Sequence, residues 1–205
     1  MEIFSVLVVL FILFFSVVVH EFCHGYAAYL NGDDTARMMG RLTLNPIPHI
    51  DPFGTILLPI LLLLISGGRF AIGMAKPVPI NPFNFRNYDR GMLTVGIAGP
   101  ASNIVIGTLF ALLSRFFSGV TAQIFLIGSV INFILAFFNL IPIPPLDGSR
   151  ILSVFLPGRI RYRYEQMERY GIIIVMVFVF AGGLRWLWPL SSAVVSFLAG
   201  YKINL

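Results

Sequence analysis

Charge is what this chain has least of: Asp, Glu, Lys and Arg together make up 11% of its 205 residues, against 58% hydrophobic. Soluble domains carry about 25% charge, and a mean hydropathy of +0.89 excludes an ordinary soluble domain and points to an integral membrane protein. Cysteine is nearly absent: Cys23 is the single one, so there is no intrachain disulfide and no redox compartment to infer, and helix packing is its expected role. There is no basic n-region before the first apolar run, which speaks against a removable signal peptide; the run leads straight into histidines that cleavage would discard. The net charge of +5 is scattered among interhelical segments with no domain to carry a binding face, so nucleic acid is not an expected partner. Repeats, low-complexity tails and linkers are also missing, and a single membrane domain over residues 1–205 is expected.

What the chain has is long apolar segments. Residues 3 to about 30, 91–113, 124–141 and 171 to about 188 are each near the roughly 20 residues that a crossing needs. Residues 53–65 are shorter, interrupted by Pro59 and followed by Ser66-Gly67-Gly68-Arg69; they read as re-entrant or partly buried. The fold class is therefore an all-α membrane protein, a polytopic helical bundle with about four full crossings and a re-entrant segment. Residues 41–44 alternate like a strand before Asn45-Pro46-Ile47-Pro48 forbids helix, so a small strand-like membrane-associated loop is expected. Irregular backbone at membrane depth is tolerated where it is buried in protein or lines a wet cavity, which places this loop beside the site. Lys76-Pro77-Val78-Pro79-Ile80-Asn81-Pro82 reads as extended and interfacial.

His20-Glu21-Phe22-Cys23-His24 ends the first apolar run. HExxH alone is weak evidence in a soluble protein, but ionisable groups inside a membrane are costly and usually face a bundle interior with partners. On a helix His20 and His24 share one face, one turn apart, so two imidazoles can bind one ion. Glu21 lies about 60° round the helix from His24, close enough to reach a water on that ion without ligating it, as a general base would. A catalytic zinc takes three protein ligands and keeps an open position, and the third candidates are Asp147, where Pro144-Pro145 breaks the helix, and His49. Charge favours Asp147: a dication, one ligating carboxylate and the Glu21 carboxylate sum to zero, and a neutral site is easier to keep in a low dielectric.

The sequence resembles the site-2 protease family of intramembrane zinc metalloproteases, peptidase family M50, in the short form without PDZ or CBS domains. The resemblance rests on His20-Glu21-xx-His24, on the stretch from Leu44-Asn45-Pro46-Ile47-Pro48-His49 to Pro52-Phe53-Gly54-Thr55, on Ala98-Gly99-Pro100-Ala101-Ser102-Asn103, and on Asn139-Leu140-Ile141-Pro142-Ile143-Pro144-Pro145-Leu146-Asp147-Gly148. It implies one Zn²⁺ per chain held by His20, His24 and Asp147, with Glu21 as catalytic base. It also implies a transmembrane protein as substrate, cut in regulated intramembrane proteolysis or in clearance of signal-peptide remnants. Asn103 and His49 are candidates for hydrogen bonds to substrate or to the oxyanion. Gly99 and Pro100 read as packing and a local kink, and residues 41–44 as the edge on which an unwound substrate would pair. Two other classes compete: a membrane zinc-binding or transport protein, and a catalytically silent scaffold. An intact Glu21 argues against both. The sequence names neither the substrate nor an oligomeric state.

If His20 and His24 near the end of the first helix are to meet Asp147, an even number of crossings must separate them, so residues 53–65 should enter and return on one side. Most Arg and Lys residues then share the face of the site. By the positive-inside rule that face is cytoplasmic, in a multi-pass protein of a bacterial or archaeal cell membrane.

Overall fold

The computed structural model describes residues 3–57, 61, 64 and 76–200. Helix α1 (Ile3–Leu30) is apolar on every side, as suits a segment that meets lipid or packed helices throughout. It ends where the sequence reaches Asn31-Gly32, and Gly32 takes the left-handed φ of +106° that a side chain would resist. A short α2 (Thr35–Met38) follows. Helix α3 (Tyr88–Leu113) starts on Asn87, whose side chain accepts from the Arg90 amide at 2.9 Å. It turns through Ser114–Phe116 into α4 (Gly119–Asn139), and α5 (Asp147–Phe155), α6 (Gly158–Gln166), α7 (Gly171–Phe180) and α8 (Leu187–Ala199) follow among the described residues.

Helix α3 is the centre of the bundle, with α1, α4, α5 and α8 all packed on it. The pairings give the directions. His24 meets Val95 while His20 meets Asn103, so α1 and α3 are antiparallel. Ile12 lies against Gly128 and Ser16 bonds Asn132, so α1 runs parallel to α4. Between these helices the contacts suit lipid: the Asn132 amide donates to Ser16 Oγ at 2.9 Å, and Ser129 Oγ donates to the Gly107 carbonyl at 2.7 Å, where small residues let the backbones close up. Ala111, Leu126, Val130, Phe133, Val195 and Ala199 form one core, and Ala28, Phe85, Met92 and Val95 form another under the site end.

The chain is an all-α membrane protein, and among the described residues three helices are long and apolar enough to cross: Leu7–Leu30, Tyr88–Phe116 and Gly119–Asn139. The expected fourth crossing over residues 171–188 is divided. Helix α7 stops at Phe180, because Gly182-Gly183 follows, and Gly182 turns the chain with φ +82°. It is the shorter α8 that packs along α3 and α4, from Trp186 beside Phe137 and Pro142 to the Arg115 end, where that guanidinium donates to the Leu198 carbonyl.

The strand-like loop is not a strand, and the described residues contain none. Residues 42–44 bend instead, since Thr43 Oγ1 accepts from the Asn45 amide and Asn45 Oδ1 from the Ile47 amide. Such local bonds compete with a ladder. Of residues 53–65, only 53–57, part of the wide helical turn Pro52–Leu57, and positions 61 and 64 are described; the expected re-entrant path lies outside the described residues. Because α1 and α3 are antiparallel neighbours, the connection between them starts and finishes at one end of the bundle.

Candidate metal centre

One helix and one helix start converge on a single point. His20 and His24 are successive turns of α1, and Asp147 is the first residue of α5. Helix α4 cannot continue past Asn139, because the prolines of Pro142-Ile143-Pro144-Pro145 supply no amide hydrogen. The Leu146 amide closes on the Ile143 carbonyl at 2.9 Å and that of Ser149 on Leu146 at 2.9 Å, which starts α5 with Asp147 turned inward. Gly148 is helical rather than left-handed. Glycine is required there by proximity, since a Cβ would lie 2.2 Å from the Leu140 carbonyl oxygen.

His20 Nε2 and His24 Nε2 are 2.9 Å apart, and Asp147 Oδ2 is 3.2 Å from the first and 3.1 Å from the second. All three residues are buried. Ligands about 2.0–2.1 Å from a tetrahedral zinc stand about 3.3 Å from one another, so the triangle fits such an ion closely. The protons agree. His24 Nδ1 donates to the Val95 carbonyl at 2.8 Å, and His20 Nδ1 to Asn103 Oδ1 at 3.1 Å. Each ring therefore carries its proton on Nδ1 and aims an Nε2 lone pair at the shared point. Two lone pairs and a carboxylate oxygen in mutual contact repel unless a cation sits among them.

Gly99 faces this point, as sequence reading did not foresee. A Cβ on it would lie 2.4 Å from His24 Nε2 and 2.6 Å from His20 Nε2. A side chain there would fill the space beside the two imidazoles that an ion would need, so more than helix packing calls for glycine. The signal was present as register: Val95, Gly99 and Asn103 repeat every four residues on α3, the same step as His20 and His24 on the antiparallel α1. Gly99→Ala is expected to weaken zinc binding roughly 10- to 100-fold, like other changes that disturb how ligands are held, measured by competition with a chelator. Unchanged affinity would mean that α3 can retreat without cost.

The other candidates lie around the triangle. Glu21 Oε2 accepts from the Val78 amide at 2.8 Å. Asn103 is fully buried; its oxygen goes to His20 and its Nδ2 has no partner among the described residues. His49 is not brought to the triangle. It is fully buried in its loop, with Nε2 2.9 Å from the Thr43 carbonyl and its own carbonyl accepting from the Lys76 amide at 2.9 Å.

Comparison with known proteins points to one family. The family model described as peptidase family M50 matches residues 8–125 and 115–182. YwhC of Bacillus subtilis, provisionally named a zinc metalloprotease, is 40% identical over 191 residues, covering 87% of this chain and 83% of the relative. Rip2 of Mycolicibacterium smegmatis, named in the same provisional way, is 31% identical over 180 residues, 85% and 68% of the two chains. The zinc metalloprotease MJ0392 of Methanocaldococcus jannaschii is 33% identical over 157 residues, which cover 75% of this chain and 36% of the archaeal one. No solved structure matches. The family match contains His20 and His24 in its first stretch and Asp147 in its second, the residues that α1 and α5 bring within 3.2 Å of each other, and the chain belongs to peptidase family M50.

Proposed function

We propose that this zinc metallopeptidase cuts peptide bonds within or near transmembrane segments of other membrane proteins, with His20, His24 and Asp147 as zinc ligands and Glu21 as the base. The depth of the triangle supports this reading above all else. His24 and His20 precede the end of α1 by six and ten residues, which at 1.5 Å per residue puts them about 9 and 15 Å inside a membrane-length helix. A bond cut there belongs to a substrate that is itself in the membrane.

When bound, zinc supplies Lewis acidity to a water and to the scissile carbonyl. The rest is the work of the chain. Val95 and Asn103 hold the two imidazoles in the ligating tautomer. Glu21 takes the proton of the attacking water and returns it to the leaving nitrogen. Asn103 Nδ2, buried and without a partner among the described residues, is a donor for substrate backbone or the oxyanion. A substrate helix hides its carbonyls in i to i−4 bonds, so it must unwind locally, and Gly, Pro or Asn should mark good substrates. Membrane proteomics of cells carrying Glu21→Gln in place of the native enzyme tests the reading: uncut transmembrane proteins should accumulate, and their absence would overturn it.

Orientation follows from charge. Arg86, Arg90 and Arg150, with the arginines of α6, lie toward the end where α1 finishes and α3 begins, whereas Arg115 marks the other end. The positive-inside rule makes the site end cytoplasmic, in a bacterial or archaeal cell membrane. Phe83 is 91% exposed at that end. In a Cys23→Ser background, Phe83→Cys should react with an impermeant thiol reagent only after the cell is opened. Labelling of intact cells would reverse the orientation.

A further inference from the structure

The segment over residues 76–80 reaches Glu21 through its backbone. Val78 N–H donates to Glu21 Oε2 at 2.8 Å. Its neighbours Pro77 and Pro79 have no amide hydrogen, so Val78 offers the one donor of the three and spends it on Glu21. Pro79 also holds Val78 extended. Both ends of the segment are tied down. Upstream, the buried Arg41 directs Nη2 to the Lys76 carbonyl at 2.9 Å and the Pro77 carbonyl at 3.3 Å, while the Lys76 amide bonds the His49 carbonyl. Downstream, the Asn81 amide donates at 2.7 Å to Oδ2 of the fully buried Asp33. Burial by itself would push the Asp33 carboxyl up, but bonds from Thr35, Asn81 and Asn84 hold it below its ordinary value, so it remains a charged anchor. The Val78 side chain is buried over Gly25, where a Cβ would lie 2.8 Å from Val78 Cγ1, so the close approach depends on glycine one residue past His24.

We infer that Val78 is a positioning residue: its backbone N–H, braced by Arg41, His49 and Asp33, holds one oxygen of Glu21 and leaves the other turned to the attacking water. This rests on the reading of Glu21 as the base. A charge-assisted bond to a fixed donor removes rotamer freedom from a flexible carboxylate before substrate arrives. The donor comes from the main chain, so the side chain at position 78 matters less than the amide.

The test deletes the amide and nothing else. In the full-length, zinc-loaded enzyme in lipid nanodiscs, Val78 is replaced by 2-hydroxyisovaleric acid, which exchanges the N–H for an ester oxygen. Val78→Pro removes the same hydrogen should the ester protein be scarce, and Val78→Ala keeps it. The probe is a reporter with a transmembrane helix interrupted by Gly-Pro. The ester and proline variants should lose kcat roughly 10- to 100-fold, the scale of a misplaced reacting group, with KM and zinc content unchanged, while Val78→Ala keeps most of its kcat. In a Glu21→Gln background the ester should cause no further loss. Wild-type kcat in the ester and proline variants beside an inactive Glu21→Gln overturns the inference and leaves the base in place. A raised kcat also overturns it, since the segment would then be a block. An active Glu21→Gln removes the base reading and this inference with it.

Discussion

Glu21→Gln is expected to keep a full complement of zinc and lose roughly 10³- to 10⁴-fold in cleavage rate, near the upper range of general acid–base contributions. The three converging atoms belong to His20, His24 and Asp147, so the substitution leaves the ligand set alone. Glutamine is also isosteric, and its amide oxygen can keep the bond from the Val78 amide at the position now held by Oε2. What is lost is the capacity to accept a proton. Metal analysis of the purified variant beside single-turnover cleavage of the same transmembrane reporter separates the two effects. Retained proteolysis in protein free of contaminating protease would remove Glu21 from the mechanism. Loss of zinc would make it a ligand instead.

The second large effect belongs to Asp147. Its Oδ2 touches both imidazole nitrogens, at 3.1 and 3.2 Å, from a buried position. Asp147→Ala removes a ligand and the charge that offsets half of the dication. Zinc binding is worth about 10–16 kcal/mol in four-ligand structural sites, so one ligand's share is about 3–4 kcal/mol, or roughly 10²- to 10³-fold in affinity. His49→Ala is the control. His49 is bonded to the Thr43 carbonyl and supports Lys76, so its loss should leave zinc in place and lower activity through the loop. Metal content after equal dialysis decides. Equal depletion in both variants would put His49 among the ligands, and greater depletion in His49→Ala would exchange the two assignments.

How much was legible follows the physics of each feature. The histidine pair of HExxH was legible because both residues lie on one helix, where a step of four residues is contact whatever surrounds it. That Asp147 would join the two histidines was legible through charge, since a buried dication held by two neutral imidazoles would call for a carboxylate. Residues 41–44 were misread because alternation describes a strand only where a partner strand exists, and Thr43 and Asn45 turn the backbone on itself. The division of residues 171–188 was overlooked because average hydropathy passes over Gly182-Gly183, whereas backbone conformation does not.

The sequence by itself determined a helical membrane protein, a pair of histidines one helical turn apart and a candidate carboxylate to join them, because hydropathy, helical step and net charge are properties of residue type and spacing. Only the tertiary structure decided which oxygen and which nitrogens meet, that Gly99 must lack a side chain, and that His49 serves the loop over residues 76–80. It also decided that the Val95 carbonyl meets the His24 imidazole and that the Val78 amide meets the Glu21 carboxylate. Every residue but proline carries the amide and every residue the carbonyl, so nothing in a sequence marks the one that will be used. That choice is made when α1, α3 and the extended residues 76–80 are packed to within hydrogen-bond distance.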